Sequence, residues 1–112
     1  MHQPTYSDIV TARAVVSRYL PRTPAYSYPG LSALAGCELF VKHENHLPIG
    51  AFKVRGGVNF MASLAPTDTQ RGVITATRGN HGLSIAYAAH LFGAKAVLVV
   101  PLGNNPEKNA GM

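Results

Sequence analysis

Val73-Ile74-Thr75-Ala76-Thr77-Arg78-Gly79-Asn80-His81-Gly82-Leu83-Ser84 opens the stretch on which the fold turns, and it runs on to Ala96-Val97-Leu98-Val99-Val100. Residues 73–77 read as a strand, because β-branched residues dominate and a glycine turn follows. Residues 80–92 read as a helix that Gly93 closes. Residues 96–100 form a continuous apolar strand of the kind covered on both faces. A strand, a helix and a second strand in this order imply a βα unit on a parallel sheet, with a right-handed crossover.

Working outward, residues 38–42 are a further strand, and 51–64 a helix that Gly56 and Gly57 weaken by roughly 1 kcal/mol each relative to alanine. Residues 66–72 read as a loop. Towards the N-terminus, 31–35 form a short helical turn closed by Gly36, and the proline-rich stretch 21–30 is an extended connector. Ser7 is expected to cap a first helix that carries Asp8 in its first turn and Ile9, Val10, Ala12, Val16 and Leu20 as its apolar positions. Pro21 and Pro24 end it. Towards the C-terminus, Asn105 caps a helix with Pro106 at its first position. The predicted class is therefore α/β, an open parallel sheet flanked by helices. About three strands is fewer than the roughly 4–6 usual for a sheet, and the final helix is short. Residues 1–112 are accordingly expected to be the N-terminal part of a larger domain, truncated before the fold is complete.

Composition narrows the function classes. The 112 residues suffice for one small domain, and 46% hydrophobic with 13% charged residues suits a folded chain rather than a disordered one. No apolar run is long enough for a membrane helix, and no leader pattern is visible near the start. The single cysteine, Cys37, cannot form an internal disulfide, which suits the cytoplasm, and it is expected to be a small core hydrophobe. The net charge is +5 and the pI about 9.7. Nucleic acid is nevertheless not expected as a partner. The ten Lys and Arg residues are scattered along the chain, with no basic run and no interleaved aromatics. Such a balance is expected either where an acidic remainder of the protein lies elsewhere or where anionic ligands such as phosphates and carboxylates are attracted.

Two segments carry chemistry. In the first, residues 42–57, Lys53 stands near a helix start after a Pro48-Ile49-Gly50 loop, among apolar Ala51, Phe52 and Val54. The helix dipole and partial burial both disfavour an ammonium there, leaving the neutral amine that attacks an aldehyde. On its own, such a lysine is more commonly a solvated one. In the second, residues 75–84, a strand enters a glycine-containing turn and then a helix, whose first N–H groups and positive dipole end suit a carboxylate. Gly79 and Gly82 permit close backbone approach, and Asn80 offers an amide donor or serves as the helix cap.

Together these segments resemble the fold-type II enzymes dependent on pyridoxal 5'-phosphate (PLP), the serine/threonine dehydratase family of the tryptophan synthase beta-like superfamily. Ala51-Phe52-Lys53-Val54-Arg55-Gly56 is similar to the family's lysine motif, and Thr77-Arg78-Gly79-Asn80-His81-Gly82 to its carboxylate and cofactor loop. The similarity continues through Ala86-Tyr87-Ala88-Ala89 and Val99-Val100-Pro101 to 104–109. The resemblance implies PLP as cofactor, Lys53 as the catalytic residue that carries it, and Phe52 and Asn80 beside it. It implies that Arg78, Gly79, Asn80 and His81 hold the substrate. It also implies an ammonia-lyase that converts a β-hydroxy amino acid such as threonine or serine to a 2-keto acid and ammonia. A serine racemase-like activity is the alternative, and a partial, non-catalytic chain of the family is another. An amino acid is the implied partner, with a homo-oligomer left open. Ile49, Arg78 and Leu83 depart from the family's usual residues, and Arg78, where a small hydroxyl residue is usual, bears most on substrate. The family's glycine-rich phosphate loop and its pyridine-nitrogen partner have no counterpart in residues 1–112.

Other motifs lead elsewhere. His43-Glu44-Asn45-His46 spaces its histidines three apart, where a zinc-protease helix needs four, and no metal is expected. His90 reads as a surface or satisfied histidine, and 103–106 as a turn with a cap.

Overall fold

Thr5, not Ser7, starts the first helix of the computed structural model, which describes residues 3–112. The Thr5 backbone N–H donates to the Asp8 carboxylate at 2.7 Å, and the Thr5 hydroxyl accepts from the Asp8 N–H at 3.3 Å. This reciprocal box begins α1 (Tyr6–Val16) two residues earlier than expected, because a box satisfies two free N–H groups where a lone serine satisfies one.

The chain continues through β1 (Ala25–Ser27), α2 (Pro29–Ala35) and β2 (Phe40–Lys42), then a 3-10 turn at Glu44–His46. After it come α3 (Lys53–Ser63), α4 (Pro66–Arg71), β3 (Val73–Ala76), α5 (Asn80–Leu91), β4 (Ala96–Val99) and α6 (Pro106–Ala110). The α/β class and the βα unit are as expected. β3 and β4 are parallel, in the register Val73↔Ala96 to Ala76↔Val99, with α5 as the crossover.

Four further local expectations differ from the structure. The 38–42 strand does not join the parallel pair. β2 pairs antiparallel with β1, which arises inside the stretch expected to be a plain connector. The 66–72 stretch is largely helical, since Pro66 is preset for a first helical turn and Asp68 favours the dipole there. β4 is covered on one face only. Val97 and Val99 are 56% and 51% exposed, and Ile74 beside them on β3 is 73% exposed. Cys37 is exposed, because it follows Gly36 at the end of α2, a helix that buries no residue.

The core lies where α1 packs on α3 and α3 on α5. Val16 and Leu20 from the α1 end meet Val54, Val58 and Met61 of α3, Ala88 and Ala89 of α5, and Leu47 of the loop before α3. The residues at 54, 58 and 61 recur at helical spacing, so they form one stripe. Fully burying side chains of this size contributes roughly 1.5–3 kcal/mol each. Beside this core, α3 and α5 approach each other closely at Gly57 and Ser84. A Cβ built on Gly57 would stand 2.6 Å from the Ser84 carbonyl oxygen and would overlap the Ser84 hydroxyl.

Candidate active site

The first turn of α3, the strand β3 and the first turns of α5 enclose a cleft of about 470 Å³. Lys53, Gly56 and Phe60 line it from α3, Ile74 and Thr75 from β3, and His81 and Ile85 from α5. Lys53 and His81, assigned from separate segments of the sequence, thus face one space. Lys53 is the first residue of its helix, and no side chain caps that end. It is exposed, so the partial burial expected from its apolar neighbours is absent. The cause is geometric: Val54 points into the core, whereas Lys53 leaves the helix on the cleft side. The Lys53 Nζ stands 5.7 Å from the centre of the Phe52 ring, which is itself 61% exposed.

The turn into α5 is built on one threonine. The Thr77 Oγ1 accepts from the Gly79 N–H at 3.1 Å and from the Gly82 N–H at 2.9 Å. Gly82 cannot be larger, since a Cβ there would meet the Thr77 methyl at 2.5 Å and the Met112 sulfur at 2.7 Å. Gly79, not Asn80, occupies the cap position, so Asn80 is the first residue inside the helix. The backbone N–H groups of Asn80 and His81 have no hydrogen-bond partner among the described residues. No acidic residue stands in this turn. The helix start is therefore electropositive and has donors to spare.

Side chains around the turn are held in place. The His81 Nε2 lies 3.0 Å from the Thr75 hydroxyl. The Asn80 Oδ1 accepts from the Lys108 Nζ at 2.9 Å, which leaves the amide NH₂ of Asn80 free to donate. Arg78 is exposed and lines a different, shallower depression with Thr77 and Pro101. The structure thus brings Lys53 and His81 to one cleft, sets Asn80 on the adjoining helix start, and leaves Arg78 outside the cleft lining.

His43-Glu44-Asn45-His46 acts as a strut. The Glu44 carboxylate accepts from the Arg55 Nε at 2.7 Å and Nη2 at 2.9 Å, and also from the Thr23 hydroxyl. The Arg55 hydrogen bonds hold the Glu44 carboxyl at about 2, below its ordinary 4.5, with Thr23 and the nearby charges adding to the effect against partial burial. Glu44 in turn pushes the Arg55 guanidinium up. This pair pins the loop ahead of Lys53 to the third residue of its helix. His43 is engaged with the Tyr28 hydroxyl at 2.7 Å. No cluster of three or more potential metal ligands occurs among the described residues.

Thr75, Thr77, Ser84 and Lys108 support the site, and none was singled out from sequence. For Thr77 a signal existed, since a threonine just before a glycine turn often bonds the N–H groups that follow. Lys108 lies 28 positions from its partner, beyond any local pattern.

Comparison with known proteins places the chain in a family. Residues 16–112 match the family described as pyridoxal-phosphate dependent enzyme. The chain is 39% identical over 101 residues to a beta-hydroxyaspartate dehydratase of Paracoccus denitrificans, covering 90% of this chain and 32% of that protein. It is 37% identical to an L-threonine ammonia-lyase of Thermotoga maritima, covering 87% of this chain and 24% of that protein. The solved structure of maize serine racemase superimposes with a TM-score of 0.92 at 34% identity, over 98% of this chain and 33% of that one. The chain spans at most about a third of the length of these relatives.

Proposed function

This chain belongs to the pyridoxal-phosphate dependent enzymes, and we propose that the protein is an ammonia-lyase (dehydratase) for a β-hydroxy amino acid such as threonine or serine. Its products are a 2-keto acid and ammonia. The observation that carries the proposal is the cleft shared by Lys53 and His81 beside a helix start with unpaired N–H groups.

The residues fit PLP at the aldehyde and ring end of that cofactor. They offer an exposed amine, an aromatic ring beneath it and an amide donor whose oxygen is already engaged. When bound, PLP supplies the electron sink that stabilises negative charge at the substrate Cα. Lys53 Nζ would hold the cofactor and, once released from it, would move the Cα proton. Asn80 and His81 hold the substrate carboxylate through their free N–H groups, and Gly79 at the cap admits it close to the backbone. The Asn80 amide, with its oxygen engaged by Lys108, would donate to the cofactor. Phe52 lies against the amine and limits water there. Arg78 is assigned an outer contact with a carboxylate, which bears on choice among serine, threonine and hydroxyaspartate. A cytosolic location, where Cys37 stays a thiol, belongs to the same proposal.

A serine racemase-like activity is the second reading, favoured by the likeness to the maize racemase. Both begin with proton movement at Cα and part afterwards. The test is borohydride reduction of the PLP-loaded protein, peptide mapping, and parallel keto-acid and chiral assays on L-serine and L-threonine. Label at Lys53 with keto-acid release is expected. Label on Lys42, Lys95 or Lys108 instead would overturn the assignment, and D-serine without keto acid would favour the racemase.

A further inference from the structure

Resting on that reading of Lys53, we infer that Ser84 is a positioning residue, which fixes where the Lys53 main chain stands relative to the His81 turn. The Ser84 hydroxyl donates to the Lys53 carbonyl oxygen at 2.6 Å. Ser84 is only 1% exposed, so no water competes for that bond. A serine inside a helix ordinarily bonds a carbonyl of its own preceding turn. Ser84 bonds across to another helix, and the carbonyl it takes is that of the one lysine facing the cleft.

The surroundings explain why this bond controls geometry. No side chain caps the α3 end at which Lys53 stands, and the lysine side chain is exposed. The place of its amine is therefore set through the backbone. Ser84 follows His81 by three positions, so the two share a face of α5. Gly57 follows Lys53 by four and shares its face of α3. A Cβ at Gly57 would overlap the Ser84 hydroxyl, so glycine there is what admits the hydroxyl to the lysine carbonyl. Lysine carbonyl, glycine and serine thus form one joint. It ties the helix that carries the amine to the helix that carries the anion-binding turn. Misplacing reacting groups by about 1 Å can cost on the order of a hundredfold in rate.

The test compares Ser84→Ala and Ser84→Cys in the full-length, PLP-loaded protein. Alanine removes the donor, and cysteine keeps the shape but donates weakly. Three quantities are measured: the pH titration of the visible absorbance, the rate of PLP loss on dialysis, and kcat and KM on L-threonine or L-serine. Both variants are expected to load PLP at Lys53. Both should lower kcat roughly tenfold or more with KM within about twofold. Both should also shift the absorbance titration by about half a pH unit or more. If Ser84→Ala folds poorly, Ser84→Cys decides. Wild-type kcat, titration and PLP loss per loaded site, whatever the change in melting temperature, would overturn the inference. Lys53→Ala runs in parallel. Should it keep the lysine-linked absorbance, the reading of Lys53 itself fails; should it lose it while both Ser84 variants behave as wild type, only the inference fails.

Discussion

Asn80 shows how a single position separates folding from function. Because Gly79 holds the cap, Asn80→Ala deletes no capping bond. Its side chain is exposed, so stability should change by no more than about 0.5 kcal/mol. Loss of a hydrogen bond to a charged ligand should lower kcat/KM roughly tenfold to a hundredfold. Thermal melts alongside kinetics decide, and a falling melting temperature with unchanged rates per folded molecule would sink the assignment. Glu44 gives the opposite case, a residue whose effect lies in stability. Its folded carboxyl sits at about 2 against an ordinary 4.5, so the folded state binds the proton less readily than the unfolded chain. The stabilisation is complete above about pH 4.5 and is lost as pH falls towards 2. Screening by water leaves about 1–2 kcal/mol. Glu44→Gln should lower stability at pH 7 by that amount and flatten the acid limb of a urea-midpoint profile; an unaltered limb would assign acid sensitivity elsewhere. Lys53 and the 77–82 turn stand out in sequence only as a pair, since each alone reads as a solvated lysine or an ordinary turn and the two together resemble one family's motifs. The expected burial of Lys53 was not, since it depends on which side of α3 faces the core.

Among the elements, α3 tests the cost of glycine twice in succession. From sequence, Gly56 and Gly57 are equal weaknesses. In the structure they are not. A Cβ at Gly56 meets nothing within 4 Å, whereas one at Gly57 runs into α5. Gly56→Ala should therefore raise stability by about 0.5–1 kcal/mol, as helix propensity alone dictates. Gly57→Ala should lower it by about 1–3 kcal/mol through overpacking. Urea unfolding of the two variants is the measurement, and equal shifts of the same sign would contradict the close approach of α3 and α5. The same distinction explains which elements could be read in advance. α5 and β3 carry their own signals in periodicity and a glycine turn. The antiparallel partner of β2 lies at residues 25–27, across α2, and a three-residue strand has too little pattern to declare a partner. α4 was hidden because proline and glycine at its two ends resemble a loop unless their order, proline first, is weighed.

At the scale of the molecule, the radius of gyration is 16.6 Å, against about 13 Å for a compact domain of roughly 100 residues. The β1–β2 pair and α2 contribute no buried residue, and the outer face of β3 and β4 shows Ile74, Val97 and Val99 to solvent. An apolar sheet face of this kind attracts apolar probes. In the 112-residue chain, Val97→Thr combined with Val99→Thr keeps β-branched residues in the strand while reducing its apolar surface. The pair should cut the fluorescence of bound anilinonaphthalene sulfonate at least about twofold, with the far-UV circular dichroism spectrum unchanged. Undiminished fluorescence would locate the dye elsewhere. Such one-sided exposure was not legible in Ala96-Val97-Leu98-Val99-Val100, because an unbroken apolar run is written the same way whether one face or both are covered.

The contact between Gly57 and Ser84 also constrains the order in which this sequence can drift. The two positions share a single small volume, and position 57 already holds the smallest residue. A lineage can lose the hydroxyl at 84 at once, but a methyl gained at 57 meets the main-chain oxygen of residue 84 as well as its side chain, so it is tolerated only once the two helices have parted. Position 57 is therefore closed by backbone as much as by side chain: residue 84 is free to change without it, whereas 57 waits on a shift of a whole helix.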